Sequence, residues 1–226
     1  MNNLELFYEF IQRHKELYGN VIYKFDENID NAVQYKDTNI NDAMGMYESS
    51  ISICTKCELS NTRLNFIFGM GDPNADLLLV GEAPSKEDDV EGAPFTGRIG
   101  KLLDNILSAI GKNRFKGVYI ANILKCKPPK NRDPLLSEVN KCEPYLKNQL
   151  KFIKPKLIIA LGRIAGKILL QQDIPLEDMR KKTFSYLDIP LRVTYHPAAL
   201  LNNENLKQLA WDDFQWIRDY IGGNQN

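Results

Sequence analysis

The sequence predicts an α/β fold, a three-layer α/β/α sandwich around a central, mostly parallel four-stranded sheet. Two observations carry this. Short, continuously apolar runs recur along the chain, as expected of strands buried on both faces. Segments with helical periodicity lie between them, and strictly alternating strands and helices imply a parallel sheet covered on both sides.

The elements follow in order. Residues 76–82 (Asp-Leu-Leu-Leu-Val-Gly-Glu) form the first strand and end in a turn. Residues 97–110 repeat apolar side chains at helical spacing through Ile99, Leu102, Leu103, Ile106, Leu107 and Ile110. Residues 118–124 form the second strand. Asp133 and Pro134 read as the cap and first residue of a long helix that bends near Pro144 and ends before Pro155. Residues 156–161 form the third strand and 163–170 another helix. A hairpin around 183–189 leads to the fourth strand, 191–195. Residues 204–221 close the chain as an amphipathic helix carrying Leu206, Leu209, Trp211, Phe214, Ile217 and Tyr220.

The 226 residues suit one domain with an extension. Residues 1–48 read as an acidic N-terminal extension, a helix plus linker. Leu4, Phe7, Phe10, Ile11 and Leu17 fall at helical spacing, Gly19 and Asn20 end the run, and 28–41 is polar. Residues 49–226 form the body. Net charge is zero, but residues 1–48 hold nine acidic and four basic side chains, against twenty acidic and twenty-five basic in the remainder. A mildly basic body permits a polyanionic partner. No apolar run approaches the roughly 18 residues of a membrane span. The opening Met-Asn-Asn-Leu-Glu lacks the basic patch and apolar core of a secretory leader. A cytoplasmic monomer without membrane contact is expected.

Four cysteines are present: Cys54 and Cys57 in a Cys-x-x-Cys pair, then Cys126 and Cys142. A cytosolic chain keeps its thiols reduced, and a Cys-x-x-Cys turn lets two thiolates converge on one centre. Zinc, an iron–sulfur cluster and four unrelated thiols are all compatible with these residues. The wide spacing of the second pair favours a cluster, because zinc fingers space theirs closely.

In parallel sheets ligands bind beyond the carboxyl ends of the strands. The segments that follow the strands are Gly81-Glu82-Ala83-Pro84-Ser85 leading to Glu87-Asp88-Asp89, then Gly92-Ala93-Pro94-Phe95-Thr96-Gly97-Arg98, then Ala121-Asn122 with the cationic run 125–132, and finally Tyr195-His196-Pro197-Ala198-Ala199-Leu200-Leu201. Taken singly each reads as a turn, a core residue or a solvated loop. Collected at one edge they supply an aromatic face, an amide, an imidazole and a basic loop, the ingredients of a base pocket. The residues alone lead to a nucleotide-binding α/β domain with a metal site.

These motifs resemble the family 4 uracil-DNA glycosylases, the iron–sulfur branch of the uracil-DNA glycosylase superfamily. The likeness spans residues 51–220 and includes the cysteine spacing and the runs Asn-Ile-Leu-Lys-Cys-Lys-Pro-Pro-x-Asn-Arg and His-Pro-Ala-x-x-Leu. The resemblance implies a hydrolase that excises uracil from single- or double-stranded DNA, with Cys54, Cys57, Cys126 and Cys142 ligating a structural 4Fe-4S cluster. It implies that Phe95 stacks on the flipped uracil and Asn122 pairs with its edge. Gly81, Glu82, Ala83 and Ser85 line the pocket, with Glu82 near the attacking water, and His196 donates to a uracil oxygen. Lys125, Lys127, Lys130 and Arg132 would contact phosphates, and Ala199, Leu200 and Leu201 would probe the minor groove.

Two positions depart from the family pattern. Ser85 stands where glycine is usual, and Gly117 where an acid often precedes the second strand. They motivate an alternative, a weak or inactive uracil- or DNA-binding homologue of the same fold. A branch that uses an extra histidine in an inserted loop fits less well, because His14 and His196 are the only histidines. A cysteine-bearing domain with no nucleic-acid role is the remaining reading.

Overall fold

The computed structural model describes residues 40–223, so the helix expected in residues 4–17 and most of the 28–41 linker lie outside the described residues. Among the described residues six strands are present: β1 (Met70–Gly71), β2 (Leu77–Gly81), β3 (Val118–Asn122), β4 (Leu157–Leu161), β5 (Phe184–Tyr186) and β6 (Ile189–Thr194). They form one sheet in the order β1-β3-β2-β4-β6-β5. The central four are mutually parallel and correspond to the four strands expected. The two short edge strands run antiparallel and enlarge the sheet to six. Two residues of β1 are too few to show any periodicity. β5 is the outer arm of the expected hairpin, whose central Leu187 and Asp188 both take positive φ (51° and 62°). That is the type I′ geometry, reached without the usual Asn-Gly.

Eight helices flank the sheet among the described residues: α1 (Ile40–Ile51), α2 (Lys86–Glu91), α3 (Gly97–Ala109), α4 (Leu136–Ile153), α5 (Arg163–Leu170), α6 (Leu176–Met179), α7 (Pro197–Asn202) and α8 (Leu206–Ile221). Alternate residues of each strand point to opposite faces. Leu78, Val80, Tyr119, Ala121, Ile158 and Ala160 pack with α1, α4 and α5 in one core. Leu77, Leu79, Val118, Ile120, Leu157 and Ile159 pack with α3 and α8 in the other. Strands β2, β3 and β4 are buried at every position, which explains their unbroken apolar runs.

Helix α1 runs across residue 48, where the sequence placed the end of the extension. It docks on α4: Ala43 and Met44 are buried, and the Tyr47 hydroxyl accepts from Asn148 Nδ2 at 3.1 Å. Helix α4 begins at Leu136, not at the expected Asp133-Pro134. Glu138 pulls the start inward, because its Oε2 accepts the Leu135 N–H at 2.9 Å while the carboxylate binds Arg132. The helix continues through Pro144 and ends in Lys154, at φ 50° and ψ 53° just before Pro155. None of the described helices is long and apolar enough to cross a membrane.

Candidate active site

The site is built at the carboxyl ends of β2 and β3, where Gly81 pairs with Asn122. The register continues past the strands, with Ile123 N–H donating to the Gly81 carbonyl and Leu124 N–H to that of Glu82, both at 3.0 Å. Asn122 is buried, yet neither its Oδ1 nor its Nδ2 has a hydrogen-bond partner. An unpaired buried polar group costs about 1–3 kcal/mol. This amide carries a donor and an acceptor in that state, side by side. Beside it, Gly81 has no room for a side chain, since a Cβ would strike Asn122 Oδ1 and come within 2.8 Å of Phe95 Cζ.

Phe95 is held in the left-handed region at φ 53°, a conformation that costs a non-glycine residue about 1–2 kcal/mol. Arg114 holds it there. Its Nη2 donates to the Phe95 carbonyl at 3.2 Å, its Nη1 to that of Pro94 at 3.3 Å, and its Nε to Asp104 at 2.8 Å. Gly100 packs against the same Phe95 carbonyl with no space for a Cβ. The Phe95 ring lies 5.3 Å from the His196 ring, tilted by 30°. Together with Ala83, Ser85, Asp88, Thr96 and Ile99 they line a small recess. Asn122 does not line this recess; its amide and the Phe95 ring both abut Gly81.

Asp88 ties the two loops of the recess together. Its Oδ1 accepts from the Thr96 N–H and hydroxyl, both at 2.7 Å, and its Oδ2 from the Ser85 N–H at 3.0 Å. Ser85 caps α2 in return, its hydroxyl accepting the Asp88 N–H at 3.1 Å, with φ −74°. The serine in place of glycine is therefore unstrained. Gly117 lies at the other end of β3. Five residues at roughly 3.3 Å each separate it from Asn122, so an acid there would stand far from the recess. Its φ of 74° and its N–H donated to Asp72 give that position a turn role.

His196 Nδ1 accepts the Ala198 N–H at 3.1 Å, which leaves the ring proton on Nε2. Burial pushes the imidazole down to about 4, against the opposing charge of Asp88, and keeps it neutral. Glu82 goes the other way. Burial first, and the neighbouring Asp133 second, push its carboxyl up to about 7.

Two of the expected DNA contacts are placed elsewhere. Lys125 is completely buried, its Nζ donating to Phe68 O, Asn122 O and Gln149 Oε1, and cannot reach a phosphate. Leu200 points inward against Tyr195 and Ala210, while Ala199 and Leu201 are half-buried. Lys130 is exposed and Lys127 half-buried. Arg132 is committed to Glu138 through two hydrogen bonds of 2.6 and 2.8 Å. The sequence reading assigned no role to Asp88, Thr96 or Arg114. Only the polar run after Gly-Glu-Ala-Pro hinted at Asp88, and nothing local marks Arg114.

The four cysteines lie close enough for their charges to interact. Cys126 and Cys142 are buried, and burial pushes the Cys142 thiol up to about 12. Cys126 feels the charges of Cys57 and Cys54, and Cys142 those of Cys126 and Cys57. N–H groups already point at the sulfurs: Lys125 N to Cys142 at 3.2 Å, Arg63 Nη1 to Cys126 at 3.2 Å and Lys56 N to Cys54 at 3.4 Å. Such donors suit thiolates rather than thiols, and metal binding would remove the protons that burial retains. Among the described residues, no three His, Cys, Asp or Glu side chains form a site for a single metal ion.

Fold and site together define an α/β domain with a recess lined by Phe95 and His196 at the carboxyl edge of its sheet. The Uracil DNA glycosylase superfamily model matches residues 68–215. The type-4 uracil-DNA glycosylase of Archaeoglobus fulgidus is 38% identical over 187 residues, covering 77% of this chain and 92% of the relative. That of Sulfurisphaera tokodaii is 39% identical over 174 residues (74% and 79%), and that of Thermotoga maritima 33% over 185 residues (79% and 94%). The chain belongs to the uracil-DNA glycosylase superfamily and, within it, to the type-4 uracil-DNA glycosylases.

Proposed function

We propose that this protein hydrolyses the N-glycosidic bond of uracil in DNA, releasing free uracil and leaving an abasic site for repair. The observation that carries the reading is the Asn122 amide, buried with both polar atoms unpaired beside Phe95. Its donor and acceptor match the acceptor and donor on one edge of uracil. Cytosine would set its own amine against the amide donor and leave a buried group unpaired.

The residues divide the chemistry. Phe95 offers its face to the extrahelical base, whose unstacking costs a few kcal/mol. Cleavage leaves an oxocarbenium-like sugar and a uracil anion. A neutral His196, proton on Nε2, donates to the uracil oxygen as charge grows there, an oxyanion-type contact worth about 3–4 kcal/mol. Glu82, once ionised, orients the attacking water and accepts its proton. Lys127 and Lys130 contact phosphates on a monomer bound to single- or double-stranded DNA.

Cys54, Cys57, Cys126 and Cys142 would hold a 4Fe-4S cluster, the N–H groups of Lys56, Arg63 and Lys125 supporting its sulfurs. Bound there it cross-links the chain and does no redox work in hydrolysis. The binding-only alternative loses its motivation, because Ser85 is an ordinary helix cap and Gly117 is remote.

The test is anaerobically purified protein with a labelled duplex carrying one uracil opposite guanine, beside an Asn122→Ala control. Alkali-labile cleavage at the uracil, abolished in the variant, is the expected result. Uncleaved duplex from brown, cluster-loaded protein would refute the assignment. A single-stranded uracil oligonucleotide in parallel settles strandedness.

A further inference from the structure

Lys125 is among the largest fully buried side chains of the protein, with none of its surface exposed. Burying an ammonium is expensive even when its hydrogen bonds are made, and a lysine is almost never fully buried without a reason. Here its three N–H bonds meet three acceptors: Gln149 Oε1 at 2.7 Å, Asn122 O at 2.9 Å and Phe68 O at 3.0 Å. All three acceptors are neutral. Gln149 completes the ring by donating from Nε2 to the same Phe68 carbonyl at 2.9 Å.

What distinguishes this arrangement from a buried polar knot is what lies at its ends. The Asn122 carbonyl belongs to the residue whose amide stands buried and unpaired beside Gly81 and Phe95. The backbone N–H of Lys125 donates to Cys142 Sγ at 3.2 Å, and the next residue is Cys126. One residue therefore grips the recognition asparagine with its side chain and the cysteine quartet with its main chain.

We propose that Lys125 is a positioning residue that fixes the Asn122 backbone, and so the aim of its amide, from the framework of the cysteine quartet. The inference rests on the assignment of Asn122 as the uracil-reading amide. The amide has no hydrogen-bond partner among the described residues to hold it in place before the base arrives. Its orientation comes from the main chain, and Lys125 is the side chain that holds that main chain. Supporting contacts of this kind determine whether a recognition group is pre-organised or loose.

The experiment uses the full-length, cluster-loaded protein with Lys125→Met, Asn122→Ala and the double variant. Three quantities are read: inhibition by free uracil, affinity for an abasic duplex, and visible absorbance of the cluster. Lys125→Met is expected to weaken uracil inhibition on the order of tenfold, the loss of a charged hydrogen bond. Abasic-duplex affinity and absorbance stay unchanged, since the link to Cys142 is a backbone N–H. Added to Asn122→Ala, it causes no further loss, as coupled residues require. If Lys125→Met does not accumulate with its cluster, Gln149→Leu removes one acceptor without touching a cysteine, and the same pattern is expected at smaller amplitude.

The proposal is overturned if the lysine variant binds uracil like the native protein while Asn122→Ala does not. It is equally overturned if uracil and abasic-duplex affinities fall together, the mark of a merely structural residue. Native uracil binding by Asn122→Ala would instead remove the reading of Asn122 itself, and the proposal with it.

Discussion

Arg114 donates from Nη2 to the backbone carbonyl of Phe95 at 3.2 Å, and so anchors an aromatic residue in a left-handed conformation. A ring that must receive a base gains from being held where it is needed beforehand. Base–aromatic stacking is worth about 1–3 kcal/mol. Arg114→Ala should forfeit much of it, raising KM for a uracil duplex on the order of tenfold with a smaller change in kcat. Arg114→Lys, a single point donor, should fall between. Steady-state kinetics decide, and an unchanged KM would show that Phe95 needs no such anchor.

The carboxyl of Glu82 is pushed up to about 7, so it becomes ionised as pH rises through neutrality. If it accepts the proton of water, single-turnover cleavage should climb across that value and level off above it. Asp133→Asn removes a neighbouring negative charge and should move the midpoint to lower pH. His196, at about 4, stays neutral over this range and adds no acidic limb. A flat profile between pH 6 and 8 would exclude Glu82 as the base.

Gly81→Ala places a methyl group against Asn122 Oδ1 and the Phe95 ring. Overpacking of this sort costs about 1–3 kcal/mol, readable as a lower Tm. Displacing either recognition group should slow uracil release on the order of a hundredfold. Abasic-duplex binding, which needs no base in the pocket, should persist. A variant with native activity would mean that the pocket opens wider than the described contacts allow.

Of the basic residues near the site, Lys130 is exposed while Arg132 is tied to Glu138. Lys130→Gln should reduce the salt slope of DNA binding by about 1, the signature of one lost phosphate contact. Arg132→Gln should change the slope less, and α4 stability more. Titrations of duplex affinity against salt separate the two, and equal slopes would mean that Arg132 leaves its carboxylate on binding.

The four parallel strands were legible because each is a compact apolar run between turns, and α3 and α5 because their periodicity is strong. The start of α4 was not, since Asp133-Pro134 is a good cap signal that a pairing six residues apart, Arg132 with Glu138, overrides. Phe95, Asn122 and His196 stood out by type and by place after a strand. Lys125 misled because charge in a sequence carries no sign of burial, and three acceptors from distant segments decide its position. Leu200 misled similarly, since in a six-residue helix residues three apart, here Pro197 and Leu200, share the inward face. Arg114 acts through long-range bonds to the Pro94 and Phe95 carbonyls, which no local pattern announces, whereas Asp88 closes a local Ser-x-x-Asp capping box with Ser85.

The sheet's borders carry a last consequence. Each outer strand is antiparallel and very short, two residues for β1 and three for β5. Long unpaired strand edges are templates on which a second chain can grow, and truncated ones offer little purchase. The parallel interior, the part richest in β-forming sequence, is thereby walled off from neighbouring molecules. Within the described residues this gives the protein a built-in resistance to edge-to-edge self-association.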